Sequence, residues 1–202
     1  GFSGRTLSTK DEAKYINSAE SSVYKKGREA YGLFEAKEAI KKLGQVVLVE
    51  GNVDVLACSQ LGVQNVVAPL GTSLTEAQVK LLKRYASDLV LMFDGDDAGQ
   101  KAALRAVEIC FAADCHPRVV ILPRDKDPGA LLLDKGAHLA LQTLIKNAVD
   151  AMEWIFQAFV NRATSQPRAK AQALRGLVQW IRRHPDALER AEYQKKAAQM
   201  FD

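Results

Sequence analysis

Cysteine is scarce in this chain: Cys58, Cys110 and Cys115 are the only three in 202 residues. They are odd in number and never spaced Cys-x-x-Cys. That argues against a disulfide framework or a cysteine zinc site and for a reducing compartment. Histidine is equally rare. His116, His138 and His184 are far apart and lack ligand spacing, which predicts surface or capping roles. No apolar run approaches the roughly 18–20 residues of a membrane span. The start, Gly1-Phe2-Ser3-Gly4-Arg5, is neither basic-then-apolar nor Met-initiated, so no signal peptide is read and the chain is taken as a fragment of a longer one. Internal repeats and low-complexity segments are absent. Neither sign of charge dominates: 28 Lys and Arg face 24 Asp and Glu, a net charge of +4 that permits an anionic partner without requiring one. What remains is 48% hydrophobic and 26% charged, enough for the core of one large domain or a domain with an appendage.

Apolar runs alternate with helical periods in the middle of the chain. Residues 28–42 carry Ala30, Leu33, Phe34, Lys37 and Ile40 at spacings of three and four, predicting a helix that Gly44 stops. Strands are then predicted at 46–50, 65–68, 89–93 and 119–122. Helices fall between them at 52–60, 75–86 (capped by Thr75) and 97–112. Continuous apolar strands alternating with helices imply a parallel sheet covered on both faces. Residues 1–26 show only short strand-like pieces. After Lys126-Asp127-Pro128 the strand signal stops, and helices are predicted near 129–134, 137–147, 150–163, 168–183 and 186–200. Trp154, Phe156, Phe159, Trp180 and Ile181 lie at helical spacings that suit core packing. Arg182-Arg183 reads as solvated helix surface.

Two of the strands end in acids. Val46-Val47-Leu48-Val49 runs into Glu50, with Asp54 one helical turn further on. Val90-Leu91-Met92-Phe93 runs into Asp94-Gly95-Asp96-Asp97. In an open parallel sheet the ligand crevice lies beyond the carboxyl ends of the strands, so Glu50, Asp94 and Asp96 are predicted to meet there. Clustered carboxylates resist ionising together unless a cation sits among them. An acid-rich, all-oxygen site suits Mg²⁺ or Mn²⁺, the ions of phosphoryl and nucleotidyl transfer. A plainer role competes at several positions. Asp96 or Asp97 can cap the helix at 97, Asp97 being better suited to a helix-start charge than to a ligand. Asp54 serves equally well as a ligand or as an acid in the first turn of its helix. Gly71-Thr72-Ser73 could approach a phosphate, but a tight turn is the safer reading.

These acids and their neighbours resemble the TOPRIM module shared by primases, topoisomerases and some nucleases. The likeness narrows to the polymerase domain of bacterial DnaG-type primases. It is carried by Glu50-Gly51-Asn52-Val53-Asp54-Val55, Leu70-Gly71-Thr72-Ser73-Leu74-Thr75, Leu81-Leu82-Lys83-Arg84-Tyr85 and Phe93-Asp94-Gly95-Asp96 with Ala98-Gly99, in that order. Upstream, Gly4-Arg5, Lys14-Tyr15-Ile16-Asn17-Ser18 and Lys26-Gly27-Arg28-Glu29-Ala30-Tyr31-Gly32-Leu33 match as well. Two departures stand out: Asn52-Val53 replaces the family's Tyr-Met, and Gly129 replaces an acid after Lys126-Asp127-Pro128.

The resemblance implies an α/β TOPRIM fold, with a central mainly parallel sheet flanked by helices and a C-terminal helical subdomain. Residues 1–44 would be the end of the N-terminal polymerase subdomain and a connecting helix, 45–135 the TOPRIM domain and 136–202 the helical subdomain. It implies a DNA-directed RNA polymerase that makes RNA primers on single-stranded DNA from ribonucleoside triphosphates. Glu50, Asp94 and Asp96 would hold Mg²⁺ or Mn²⁺, with Asp54 and Asp127 as outer ligands. Arg5, Lys14, Asn17 and Lys26 would contact template or nucleotide, and Tyr15 suits the core better than a base-stacking role. The replicative helicase is expected as a partner through a C-terminal domain outside this chain, and zinc only in an absent N-terminal domain. The expected setting is the bacterial replisome in the cytoplasm, with no membrane, and the fragment alone is expected to be weak or inactive. Alternatives are another TOPRIM enzyme, a nuclease or topoisomerase, and a nucleic-acid-binding scaffold with a dead metal site.

Overall fold

The computed structural model describes residues 2–6, 15–71, 73–124, 126–162 and 166–201. Two sheets are present among them. Strands β1 (Ser3–Arg5) and β2 (Tyr15–Asn17) pair antiparallel, Gly4 opposite Ile16. The central sheet has the order β4-β3-β5-β6-β7. Its members are β3 (Gln45–Leu48), β4 (Val66–Val67), β5 (Asp88–Phe93), β6 (Arg118–Ile121) and β7 (Val149–Asp150). The first four run parallel, as the alternation with helices predicts. All their carboxyl ends therefore point the same way.

Both faces of this sheet are covered, because successive residues of a strand point to opposite sides. Val46, Leu48, Leu89, Leu91 and Phe93 share one core with Ala103, Val107 and Phe111 of α4 (Asp97–Ala112). Met152, Ile155 and Phe156 of α7 (Ala151–Arg162) complete it, with Leu177 and Ile181 of α8 (Pro167–Arg183) and Ala197 of α9 (Ala187–Phe201). The alternate residues Val47, Val49, Val90, Met92 and Val120 face the other way. They pack on Val55 and Cys58 of α2 (Asn52–Gln60), Leu131 of α5 (Pro128–Leu131), and Leu141 and Ile145 of α6 (Ala137–Lys146).

The strand signal does not stop at residue 128. Val149 pairs with Val119 and makes β7 an antiparallel edge strand. Two residues are too few to leave a periodic pattern, so sequence reading misses this strand. Apolar residues of α6 to α9 join the two sheet cores. Phe156 and Ile181 are buried, and Trp154, Phe159 and Trp180 pack against the same core.

The N-terminal segment is bolted to the sheet by polar contacts. Tyr31 and Ala68 exchange backbone hydrogen bonds at 2.8 and 3.1 Å, and α1 (Leu33–Leu43) follows, ending at Gly44. Thr75 caps α3 (Glu76–Lys83) as expected: its Oγ1 accepts the Gln78 N–H at 3.2 Å while the Gln78 side chain accepts the Thr75 N–H at 3.0 Å. The Gln78 amide is fully buried and also donates to the carbonyls of Lys26 (2.9 Å) and Glu29 (2.7 Å). A buried amide satisfied this way fixes residues 26–29 against α3.

Candidate active site

The acids meet at the carboxyl ends of β3 and β5, which are neighbours in the sheet. Glu50 follows β3, and its Oε1 accepts the backbone N–H of Asp94, just past β5, at 3.3 Å. Asp96 is the N-cap of α4, its Oδ1 accepting the Gly99 N–H at 2.7 Å. Asp54 lies in the first turn of α2, and its Oδ2 accepts the Gly51 N–H at 2.8 Å. Asp127 caps α5, its Oδ1 accepting the Ala130 N–H at 2.6 Å. The helix-start roles open for Asp54 and Asp96 in the sequence are thus occupied, one carboxylate oxygen each. A helix N-terminus also stabilises negative charge, so the caps hold three acids at one crevice in fixed orientations.

Close backbone approach shapes this crevice. A Cβ on Gly95 would run into the carbonyls of Leu122 and Pro123, and one on Gly99 into the backbone of Asp94, whose N would lie at 2.9 Å. The Gly95 N–H donates to the Lys126 carbonyl at 3.3 Å and draws the segment that carries Asp127 over Asp94. Packing of Val55 and Leu131 in one core brings α2 and α5, and with them Asp54 and Asp127, to the same place.

The electrostatics register the crowding. Burial first, then the charges of Glu50, Asp54, Asp127 and Asp96, push the Asp94 carboxyl up to about 7. Burial raises Asp54 to about 6; Asp127 and Glu50 add to this and the Gly51 N–H opposes it. The same acid, after burial, pushes the Cys58 thiol up to about 12, so that cysteine is an inert core residue. Carboxylates that raise one another's affinity for protons form a donor set that a hard divalent cation relieves. The residues present therefore fit a hard divalent cation.

A cavity of about 210 Å³ opens beside Glu50, walled by Leu48, Ser73, Phe93, Arg105 and Ile109 among others. Ser73 belongs to the Gly71-Thr72-Ser73 turn singled out in the sequence; Arg105 had no motif to announce it, being one of two cations, with Lys101, on an amphipathic helix. Asn17 comes to the same edge: its side chain lies against Gly71, past the carboxyl end of β4, and Gly71 holds a turn with φ 70°. Lys26 sits on the segment held by Gln78. Arg5 is in β1, its side chain outside the described residues, and Lys14 lies wholly outside them.

Three histidines that look unrelated in sequence are not all so in space. Among the described residues, the groups already gathered closely enough to chelate an ion are His116, His184 and Glu189. His184 is the C-cap of α8, as a capping role requires, but it is 2% exposed and not on the surface. Folding, not local spacing, unites it with His116. His138 stays apart, its Nδ1 beside the Leu61 carbonyl.

A parallel α/β sheet with one acid after its first strand and Asp-Gly-Asp after a later one defines a Toprim-type module, and the Toprim-like family model matches residues 47–132. The model of the DNA primase catalytic core, N-terminal domain, matches residues 1–37, and that of the DnaB-helicase binding domain of primase matches 152–202. DNA primase of Halalkalibacterium halodurans is 34% identical over 201 residues, 99% of this chain and 33% of that protein. A DNA primase domain from Pseudomonas aeruginosa superposes with a TM-score of 0.85 at 32% identity, over 98% of this chain and 63% of the other. A DnaG primase catalytic domain bound to single-stranded DNA gives 0.81 at 30% identity, over 98% and 65%. The chain belongs to the bacterial DnaG-type primases and corresponds to part of their catalytic core. It spans about a third of the length of the curated relatives it matches. One expectation changes: the helicase-binding segment was placed outside this chain, yet its family model falls on α7 to α9. Those helices carry composition and no motif, so their sequence reads only as a generic helical appendage.

Proposed function

We propose that this chain is the metal-binding part of a DNA-directed RNA polymerase that synthesises RNA primers on single-stranded DNA at the bacterial replisome, in the cytoplasm. The observation that carries this reading is the convergence of Glu50, Asp94, Asp96, Asp54 and Asp127 at one end of a Toprim-type sheet, with Asp94 raised to about 7 by burial and its fellow acids. Glu50, Asp94 and Asp96 would hold the ions directly, and Asp54 and Asp127 would orient bound water. Mg²⁺ or Mn²⁺ held there would stabilise the negative charge developing on the attacking 3′-oxygen and on the departing pyrophosphate. The caps on Asp96 and Asp127 keep those carboxylates from swinging away, so the site is preorganised before nucleotide arrives.

Asn17, beside the Gly71 turn, and Lys26, held by Gln78, belong to the surface that takes template or ribonucleoside triphosphate. Arg5 and Lys14 are assigned to the same surface. Cations there neutralise phosphates and make binding salt-dependent. Residues 152–202 take part in docking the replicative helicase, a reading supported by their family match.

Mn²⁺ calorimetry on the chain and on Asp94→Asn tests the metal assignment. Binding in the first and its loss in the second is the expected result. Equal binding in both overturns it. Primer synthesis on a single-stranded template by the full-length protein, with and without Asp94→Asn, tests the activity.

A further inference from the structure

At the opposite end of the sheet, where the parallel strands begin, we infer a second metal site, built from His116, His184 and Glu189 and suited to Zn²⁺ in preference to Mg²⁺. The ligand atoms of the three lie within 4.8 Å of one another. His184 Nε2 is 3.3 Å from Glu189 Oε2, and His116 Nδ1 is 4.0 Å from the same oxygen. Tetrahedral zinc with bonds of about 2.0–2.1 Å sets its ligand atoms roughly 3.3–3.4 Å apart. One pair already has that spacing, and the others close by side-chain rotation.

Each ligand is positioned by its own backbone device. His116 follows the turn that ends α4, where Asp114 adopts φ 52° and Lys83 Nζ donates to the carbonyls of Ala113 and Asp114. His184 precedes Pro185, which keeps it out of the helical region, and its carbonyl accepts from Arg190 at 2.7 Å. Asp186 caps α9 and binds the N–H of Glu189 itself at 2.8 Å. The rings of Phe111 and Tyr193 stand 5.1 and 5.5 Å from that of His184 and hold it edge-on.

The hydrogen bonding at His184 asks for a cation. Its Nδ1 faces the Asp186 carbonyl at 3.4 Å and its Nε2 faces the Glu189 carboxylate. Both partners are acceptors. A neutral imidazole carries one N–H, so either tautomer turns a lone pair toward an oxygen. An ion on Nε2 resolves this and leaves Nδ1–H on the carbonyl, the usual second contact of a metal-bound histidine. A proton could do the same for His184 alone. It would not draw in His116, whose ring centroid is 4.8 Å away and whose Nδ1 addresses the same carboxylate. Two imidazoles and one carboxylate favour zinc and its neighbours in the first row, whereas Mg²⁺ takes oxygen. The side chains of His116 and Glu189 are 37% and 53% exposed, so water can fill the fourth position. The ion would staple the start of α9 and the end of α8 to the turn before β6.

Zn²⁺ titration of the 202-residue chain tests this, with Mg²⁺ in saturating excess to occupy the acid crevice. One equivalent of Zn²⁺ is expected, with a higher unfolding temperature, and Co²⁺ should give the visible absorption of a tetrahedral N/O site. His116→Ala and Glu189→Gln, both at exposed positions, should weaken binding by at least about 10-fold while circular dichroism stays unchanged. His138→Ala should bind as the parent does. Absence of a Zn²⁺ site under these conditions, or binding that His116→Ala and Glu189→Gln leave intact, overturns the assignment.

Discussion

The two ends of the central sheet hold two kinds of polar cluster. At the carboxyl ends Glu50, Asp94, Asp96, Asp54 and Asp127 are acids alone, most of them anchored to a backbone N–H. Beyond the amino end of β6, His116, His184 and Glu189 combine two imidazoles with one carboxylate. The first cluster comes from acids placed directly after strands or at helix starts: local chain geometry sets Glu50, Asp94 and Asp96, and packing of α2 on α5 adds Asp54 and Asp127. The second draws on two separate stretches, His116 before β6 and His184 to Glu189 at the α8–α9 turn, which meet only because α8 and α9 fold back onto the sheet. With the two sites as proposed, the difference would also sort cations: hard ions at the acids, borderline ions at the imidazoles.

The largest effect that would break this comparison is expected from Asp94→Asn. It removes the acid that all four others press upon. Mn²⁺ affinity at the crevice should fall by more than the roughly 10–100-fold that loss of an outer partner costs, while Zn²⁺ affinity stays unchanged. Calorimetry with each ion reads both sites, and a parallel loss of both would mean that they are one unit.

Gly99→Ala should come next. The new Cβ meets the backbone of Asp94 and must displace it. Overpacking of this kind costs about 1–3 kcal/mol, to be read from denaturant unfolding. Mn²⁺ binding should weaken with it although no ligand has changed.

Acidity should separate the clusters further. Asp94 and Asp54 hold their protons up to about 7 and about 6, well above an unfolded carboxyl. The folded state therefore binds more protons than the unfolded state between about pH 4 and 7, so metal-free stability contributed by these groups falls as pH rises through that window. Mg²⁺ should restore it at pH 7 and above, and Mn²⁺ affinity should climb from pH 6 to 8 with proton release. Thermal unfolding across pH, without metal, of the chain and of Asp94→Asn checks the sign: the chain should lose stability relative to the variant from about pH 4 to 7, and a relative gain would contradict it.

The smallest effect is expected from Arg118→Met. Arg118 donates two hydrogen bonds to Asp88 across β5 and β6, Nε to Oδ1 at 3.0 Å and Nη2 to Oδ2 at 2.5 Å. The pair is partly exposed, so its loss should cost about 1 kcal/mol and leave both metal affinities intact. A drop in Zn²⁺ affinity would show that the amino end of β6 must be rigid for His116 to reach its partners.

The parallel sheet was legible because its strands are buried on both faces and read as apolar runs, each followed by a helical period. The meeting of Glu50, Asp94 and Asp96 was legible for the same reason: residues just past neighbouring parallel strands come out at the crevice. Thr75 and Gly44 marked helix ends through local chemistry that needs no tertiary context. Strand β7 was not legible, being two residues long and paired to β6 by a chain that returns from α6. Nor was the role of residues 152–202, where amphipathic period alone shows that a face is buried and not what the other face meets.

What the sequence by itself determined is therefore local or periodic: the order of strands and helices, the caps, and the acids that strand ends and helix starts carry to one edge. What only the tertiary structure decided is contact between distant stretches: Asn17 against Gly71, Gln78 beneath Lys26 and Glu29, Arg105 and Ser73 in the wall beside Glu50, and His116 with His184 and Glu189. The physical reason is that backbone geometry propagates over a few residues, whereas packing of α8 and α9 on the sheet depends on the summed burial of many apolar side chains. No short motif can encode that sum.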